Sequence, residues 1–310
     1  MILISGEALI DLIPDPAKDN AYDAVLGGSP YNVAIGLARL NSKTAFVSRL
    51  SADANGEALA ASLAANGVDL RFVTRDKRPT MLAFVMRGTA KTGSRYSFYL
   101  DATAYDGPWP FPKAWPADGR HLHVGSVAAI EPRHGETVLT ALRAARPHAT
   151  ISFDPNIRPV ITPDRAATVA AVEQEVALAH VVKASEEDLE WLYPGRTIHD
   201  TLGVWSKLGP RFCVVTLGER GALAMLGGEK IEVPAPRIEV VDTVGAGDSF
   251  MSALLSAMDR DSALGAGAHK PDRTRLESWL RFAAAASAIT CTRKGSNPPT
   301  LAEVQAAMKA

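Results

Sequence analysis

Cysteine is almost absent from this chain: Cys213 and Cys291 are the only two in 310 residues. One lies in an apolar, strand-like run and the other in an alanine-rich, helix-like run. They therefore read as reduced core thiols in a reducing interior, not as a disulfide. An excess of charge of one sign is lacking as well, since 33 Lys and Arg stand against 34 Asp and Glu for a formal net charge of −1. That balance offers no basic face to nucleic acid or to an anionic membrane. No charge-free run is long enough to cross a bilayer, residues 282–289 included. Met1-Ile2-Leu3-Ile4 is apolar, but no basic leader accompanies it and Glu7 and Asp11 soon interrupt it. A signal peptide is not expected, and the chain reads as cytoplasmic. Also missing are the Gly-x-x-x-x-Gly-Lys-Ser/Thr loop and the protein-kinase catalytic triplet. The Gly-x-Gly-x-x-Gly of a dinucleotide-binding oxidoreductase is missing too, and Gly6-Glu7-Ala8 does not replace it. His121 and His123 alternate on a probable strand without further His or Cys, which favours a satisfied strand pair over a metal site.

What is present is a globular composition, 47% hydrophobic, long enough for one large α/β domain or a domain with an appendage. Short β-rich runs (2–5, 44–49, 121–125, 150–154, 181–183, 211–217) alternate with Ala/Leu-rich segments of helical spacing (30–40, 56–66, 136–145, 166–179, 186–192, 200–207, 276–290). That rhythm predicts parallel strands joined by crossover helices, with no internal repeat. Residues 12–26 and 80–101 break it. Their alternating apolar and polar positions suggest half-exposed strands, either a small sheet projecting as a lid or an ordinary antiparallel edge extension.

Chemistry concentrates in Val240-Val241-Asp242-Thr243-Val244-Gly245-Ala246-Gly247-Asp248-Ser249-Phe250, where an apolar run becomes a helix. Free N–H groups at a helix start attract anions, and small residues let a phosphate approach the backbone. Asp248 would stand beside the transferring charge, able to take a proton from an attacking hydroxyl. The other reading is a strand-to-helix turn with Asp248 as a cap. Near the N-terminus, Asp11 is read as ending the first strand, and Gly27-Gly28-Ser29-Pro30-Tyr31-Asn32 opens a helix. The glycines would admit a ligand to the backbone. Asp11 and Asn32 could fix sugar hydroxyls, or serve as a strand-end cap and a first-turn polar residue.

The string Asp-Thr-x-Gly-Ala-Gly-Asp-Ser-Phe resembles the C-terminal signature of the ribokinase-like (PfkB) carbohydrate kinases, and Gly-Gly-x-x-x-Asn resembles their N-terminal sugar-binding signature. Residues 46–56 and Asp154-Pro155-Asn156-Ile157-Arg158 resemble further segments, the second frequent in fructokinase-like and ketodeoxygluconate-kinase-like members. The resemblance implies a three-layer fold with a mostly parallel central sheet flanked by helices and a small β-sheet lid, over which two lid copies could form a homodimer. It implies an ATP-dependent kinase acting on a primary hydroxyl of a small sugar, fructose first. Ketodeoxygluconate kinase, another sugar or nucleoside kinase, or a non-catalytic sugar sensor are the alternatives. Asp248 is the expected base, with N–H groups of Gly245, Ala246 and Gly247 on the transferring group. Asp11, Gly27, Gly28, Asn32 and Phe98 are expected on the sugar. Arg158 is read as a phosphate clamp or as a salt bridge to Asp154.

Lys183-Ala184-Ser185-Glu186-Glu187-Asp188 occupies the place of the family's Asn-x-x-Glu motif. The resemblance implies Ser185 and Asp188 organise Mg²⁺ and phosphate, Asp188 through water, with Lys183 on the nucleotide. A helix N-cap box is the coexisting structural reading. Thr216, Gly218 and Gly221 resemble the nucleotide loop, and Asn297 is expected near adenine. Asp242, Val244, Thr290, Arg293 and Gly295 are expected around a monovalent cation such as K⁺. The lid segment Phe98-Tyr99-Leu100-Asp101 lacks the Arg that would follow the aromatic pair in acidic-sugar kinases, which favours a neutral hexose.

Overall fold

The computed structural model describes residues 1–15, 17–86 and 95–309; residues 87–94 of the expected lid lie outside them. The chain opens with β1 (Ile2–Ser5), β2 (Leu9–Pro14), β3 (Tyr22–Gly27), α1 (Ser29–Arg39), β4 (Thr44–Ser51), α2 (Ala54–Ala65), β5 (Asp69–Asp76), β6 (Leu82–Met86) and β7 (Arg95–Tyr99). It continues with β8 (His121–Gly125), α3 (Val127–Ile130), α4 (Pro132–Ala145), β9 (Thr150–Asp154), α5 (Arg165–Leu178), β10 (Val181–Ser185), α6 (Glu186–Leu192) and α7 (Ile198–Leu208). The last part holds β11 (Phe212–Thr216), β12 (Ala222–Leu226), β13 (Glu229–Val233), α8 (Ala246–Arg260), α9 (Arg273–Cys291) and α10 (Leu301–Ala307).

Nine strands form one sheet in the order β13-β12-β11-β10-β9-β8-β1-β4-β5. Pairing is parallel from β5 to β11 and antiparallel only where β12 and β13 extend the edge. Both faces are buried, so side chains of one strand divide between two cores by simple alternation. Ile2 and Ile4 join Phe212 and Val214 under α1, α8 and α9, whereas Leu3, Cys213 and Val215 meet Val138 and Leu142 of α4, Val172 of α5 and Trp205 of α7. Cys213 is buried, Cys291 is half-buried at the end of α9, and both are free thiols.

One seam of the α8-facing side is polar. His121 shares its ring nitrogens with the hydroxyls of Thr150 (2.8 Å) and Ser152 (2.7 Å), and His123 Nδ1 lies 2.9 Å from Ser152 Oγ. Burial depresses both imidazoles, His123 to about 3, so the pair is neutral and satisfied within the sheet.

The second sheet has the order β3-β2-β6-β7. It stands apart from the main sheet, as the lid expectation required, but its first strand starts at Leu9, not at residue 12. Asp11 therefore does not end the first strand. That strand stops at Ser5, and Asp11 lies on the small sheet opposite Val25. The apolar pair Val240-Val241 is likewise no strand: both side chains are exposed, and the N–H groups of Val241 and Asp242 donate to the Cys291 carbonyl. β5, β12, β13 and α10 were not anticipated. β5 and β13 are amphipathic edge strands, whose apolar signal is half that of a core strand.

Glu175 on α5 is 1% exposed, and neither carboxyl oxygen has a hydrogen-bond partner among the described residues. Burial holds its pKa well above the usual carboxylate range, with Arg143 opposing. An acid raised on folding contributes fully below its unfolded pKa and loses that contribution as pH climbs through the folded value. Glu175→Gln, which cannot ionise, is expected to melt about 2 °C or more above the parent at about pH 8, the scale on which ~1 kcal/mol moves a chain of this size. The gain should vanish near pH 4, about where unfolded Glu takes its proton. Melts differing equally at both pH values would contradict this account.

Candidate active site

β1 lies between β4 and β8 in the sheet: the chain winds from β1 to β4 and β5 on one side, then crosses to β8 and winds on through β9, β10 and β11 on the other, and this switch of direction opens a crevice at the carboxyl ends of the strands. Glu7 after β1, Ser126 after β8, Asp154 at the end of β9, Ser185 at the end of β10 and Thr216 at the end of β11 all reach that edge. α1 and α8 start there too.

Asp248 is the third residue of α8, half-buried, with its carboxylate fastened to α1 on both oxygens. Ser29 Oγ donates to Oδ1 (2.6 Å) and Asn32 Nδ2 donates to Oδ2 (2.8 Å). Burial raises its pKa, while these two donors and the charges of Lys183 and Arg158 oppose the rise. Gly245 caps α8 with φ 76°, and an added Cβ would collide with Ser296. Only glycine adopts that turn freely. The N–H groups of Gly245 and Gly247 have no acceptor among the described residues, whereas Ala246 N–H turns to Thr243 O (3.2 Å). Two of the three expected donors are thus free at the positive end of the helix.

The wall opposite comes from α1 and the small sheet. Gly28 holds φ 109° at the start of α1, and an added Cβ there would come 2.7 Å from the Glu7 carbonyl. A Cβ on Gly27 would strike the Asp11 carboxylate, so this glycine makes room for Asp11. Burial lifts Asp11 to about 6, with Arg158 lowering and Asp248 raising it. Phe98 stacks on Tyr96 (5.9 Å, 21°), and the Arg158 guanidinium lies 5.9 Å from the Tyr96 ring centre. Arg158 makes no salt bridge to Asp154. Its Nη1 donates to the carbonyls of Ile157 (2.9 Å) and Asn156 (3.3 Å), leaving its charge directed at Asp11 and Asp248.

Asp154 pairs instead with Lys183 (2.8 Å), both buried. Asp188 forms a reciprocal capping box with Ser185, and its other oxygen accepts Ile157 N–H (2.7 Å). Each Asp188 oxygen keeps one lone pair for a metal-bound water, on a side chain already committed to joining α6 to the 154–158 loop. Among the described residues no three acidic, His or Cys side chains gather as a metal cage. The donor set therefore fits an octahedral Mg²⁺ only as a partner of ligand phosphates and waters, with Asp188 at second remove.

Thr216 Oγ1 donates to Ala184 O (3.4 Å) at the strand end, and Gly218 (φ 57°) faces open space. Gly221 (φ 96°) closes the turn against the Val233 carbonyl, which leaves no room for a side chain. Asn297 is the residue expected beside adenine, and its neighbour Ser296 lies against Gly245. The Asn297 amide oxygen accepts from Arg39 (2.6 Å) at the far end of α1, about 16 Å along the helix from Gly28. Asp242 bridges two segments, accepting N–H of Val244 (3.0 Å) and Gly295 (2.9 Å), while the Thr290 carbonyl accepts Arg293 N–H (3.0 Å). The five residues expected around a monovalent cation do converge, with the Asp242 carboxylate as the clasp.

Sequence reasoning passed over Ser29, Tyr96 and Glu7. Glu7 is 3% exposed and accepts Ala128 N–H (3.2 Å), and burial raises its pKa. Ser126 and Asn156, both left-handed at φ 59° and 40°, meet beside it through Asn156 Nδ2 (3.3 Å to Ser126 Oγ). Strained non-glycine residues of this kind cluster at functional sites. For Ser29 the signal was available, one helical turn before Asn32.

Residues 1–303 match the model of the pfkB family carbohydrate kinases. A fructokinase of Rhizobium leguminosarum bv. trifolii is 35% identical over 270 residues, covering 85% of this chain and 81% of that protein. The crystal structure of a fructokinase with bound ATP from Xylella fastidiosa superposes with a TM-score of 0.88 at 28% identity, over 99% of this chain and 98% of that one. A fructokinase from Vibrio cholerae O395, in its fructose, ADP and calcium ion bound form, superposes at 0.84 and 28% identity, over 98% and 97%. The nine-stranded sheet, separate small sheet and paired helix starts of this chain are the ribokinase-like arrangement, and the chain belongs to the pfkB family of carbohydrate kinases.

Proposed function

We propose that this chain is a fructokinase that transfers the γ-phosphoryl group of ATP to a primary hydroxyl of fructose. The observation that carries the reading is the Asp248 carboxylate, held by Ser29 and Asn32 at the start of α8 and opposite Asp11. Asp248 takes the hydroxyl proton as the sugar oxygen bonds to the γ-phosphorus and the bond to ADP breaks. Asn32 orients this base as well as the sugar. N–H groups of Gly245 and Gly247 receive the equatorial oxygens, with Arg158 adding a charge that draws in phosphate. Asp11 and the Gly27–Gly28 backbone hold other sugar hydroxyls, and Tyr96 with Phe98 form an apolar wall from the lid. Catalysis is then alignment plus fixed charge, with lid closure excluding water as a rival acceptor.

Mg²⁺ when bound neutralises the ATP phosphates; Asp188 would meet it through water, beside Ser185 and Lys183. Thr216 and Gly218 border the nucleotide. K⁺ would seat between the Asp242 and Gly295 segments, steadying the turn before Gly245. A second copy is proposed to dock on the outer face of the lid, where Tyr22, Phe84 and Tyr99 meet edge to face at 5.5 Å with Tyr22 and Tyr99 about half exposed. No helix among the described residues is long and apolar enough to cross a membrane, in keeping with the proposed cytoplasmic location. Ketodeoxygluconate kinase is the second reading, favoured by one feature: the Arg158 guanidinium in the cleft could meet a sugar carboxylate.

ADP release measured across a panel of neutral and acidic sugars, with and without Mg²⁺ and K⁺, decides substrate and ions. Fructose should lead, and turnover of none of them would remove the kinase reading. Asp248→Asn should fold and bind both substrates yet lose at least ~100-fold in kcat, the low end of what a positioned base supplies. Near-normal turnover in that variant would dismiss its role. Asp11 ionises at about 6, so the KM for fructose should rise as pH falls below that value and its carboxylate loses an acceptor. In Asp11→Asn the KM should be high throughout and lack this acid-side rise.

A further inference from the structure

A buried ion pair lies directly beneath the helix start. Lys183 Nζ is 2.8 Å from Asp154 Oδ2, with side chains 5% and 2% exposed. An added Cβ on Gly247 would come 2.9 Å from the same ammonium, which therefore occupies the space a side chain would take next to Asp248. Asp154 Oδ1 has no partner among the described residues. Such a pair is poor material for stability, because desolvation of both ions offsets most of their attraction and an apolar replacement is often no worse. Its surroundings are otherwise a core in which neighbouring strand positions are Val and Ala. The pair's position, rather than its own energy, is what needs an explanation.

We propose that the Lys183–Asp154 pair acts on the reaction through Asp248, holding its carboxylate ionised until the sugar proton arrives. The inference rests on the kinase reading above. The charges are arranged unequally: after the Ser29 and Asn32 donors, Lys183 is the first of the two cations favouring ionised Asp248, and Asp154 stands behind it as the ammonium's anchor. With so little water present, the interaction is not screened as a surface pair is. The other groups facing Asp248 are Ser29 and Asn32 from α1, Asp11 from β2 and Arg158 from the loop after β9. Asp188 of α6 and neutral His123 of β8 face the pair itself. Asp154 is raised to about 6, chiefly by burial with Lys183 opposing, so the pair is still ionised at neutral pH. Lys183 and Asp154 are thus positioning residues, touching neither the sugar nor the migrating group in this account.

The test is the acid limb of kcat at saturating fructose and Mg-ATP, which falls where the base takes a proton in the bound complex and leaves out the effect of Asp11 on KM. Lys183→Met removes the cation and should move that limb to higher pH, with turnover at about pH 8 reduced by ~10-fold or more, as for loss of one fixed electrostatic donor. Asp154→Asn keeps an acceptor for the ammonium and removes the opposing charge, so its limb should move to lower pH. The Lys183→Met, Asp154→Asn double variant restores neutrality and should return the limb towards the parent's. A pair that only holds the fold would alter melting temperature and leave every limb in place, which would overturn the proposal. So would shifts of both single variants in one direction. Should Lys183→Met fail to fold, Asp154→Asn decides alone: a lower limb supports the proposal, and an unmoved or higher one overturns it. If the parent has no sugar kinase activity, the underlying reading falls. If the parent is active and Asp248→Asn is not, unmoved limbs count against the pair alone.

Discussion

Two hydrogen bonds to one carboxylate tie the molecule together functionally. Ser29 and Asn32 reach Asp248 across sequence separations of 219 and 216 residues, so α1 and α8 must begin side by side at the same edge of the sheet. The close approach is built from small residues: Gly36 of α1 lies against Ser252 of α8, and side chains of that size shorten the distance between two helix axes. The sheet supplies the rest, because β1 and β8 to β11 run parallel and bring five strand ends to that edge.

Electrostatics at this edge are arranged in layers. Uncommitted N–H groups of Gly245 and Gly247 form the surface that meets an anion, Asp248 and Asp11 face across the cleft, and Arg158 and Lys183 balance them from the strand ends. Burial pushes each carboxylate towards its neutral form, and each nearby cation pushes back. A site tuned in this way tolerates little rearrangement, which accounts for the backbone strain at Ser126 and Asn156 and for the use of glycine where Pro30, Asp11, Ser296 and Lys183 crowd the chain.

The small sheet is built on different rules from the core. Its inner face carries Phe98 and Tyr96 towards the cleft, while its outer face leaves Tyr22 and Tyr99 in solvent. Asp11 belongs to this sheet and not to the main one, so a residue proposed to hold sugar is carried by the small sheet.

Much of this was legible in the chain itself. The alternation of strand and helix, the glycine pairs at the two helix starts and the carboxylate in the first turn of α8 depend on neighbours along the sequence, where periodicity and turn chemistry act. Edge strands β5 and β13 escaped because an amphipathic edge resembles a loop. That Asn297 meets Arg39, 258 residues away, could not be read from the chain. The same reason separates Arg158 from Asp154: residues close in sequence share a strand end, but the ammonium of Lys183, from the next strand over, reached the carboxylate first. By itself, then, the sequence determined the kinds of groups available, the fold that carries them and the family they mark. Which donor meets which acceptor was decided only by tertiary structure, because charge and hydrogen bonding act through distance in space, and strand order sets that distance independently of position in the chain.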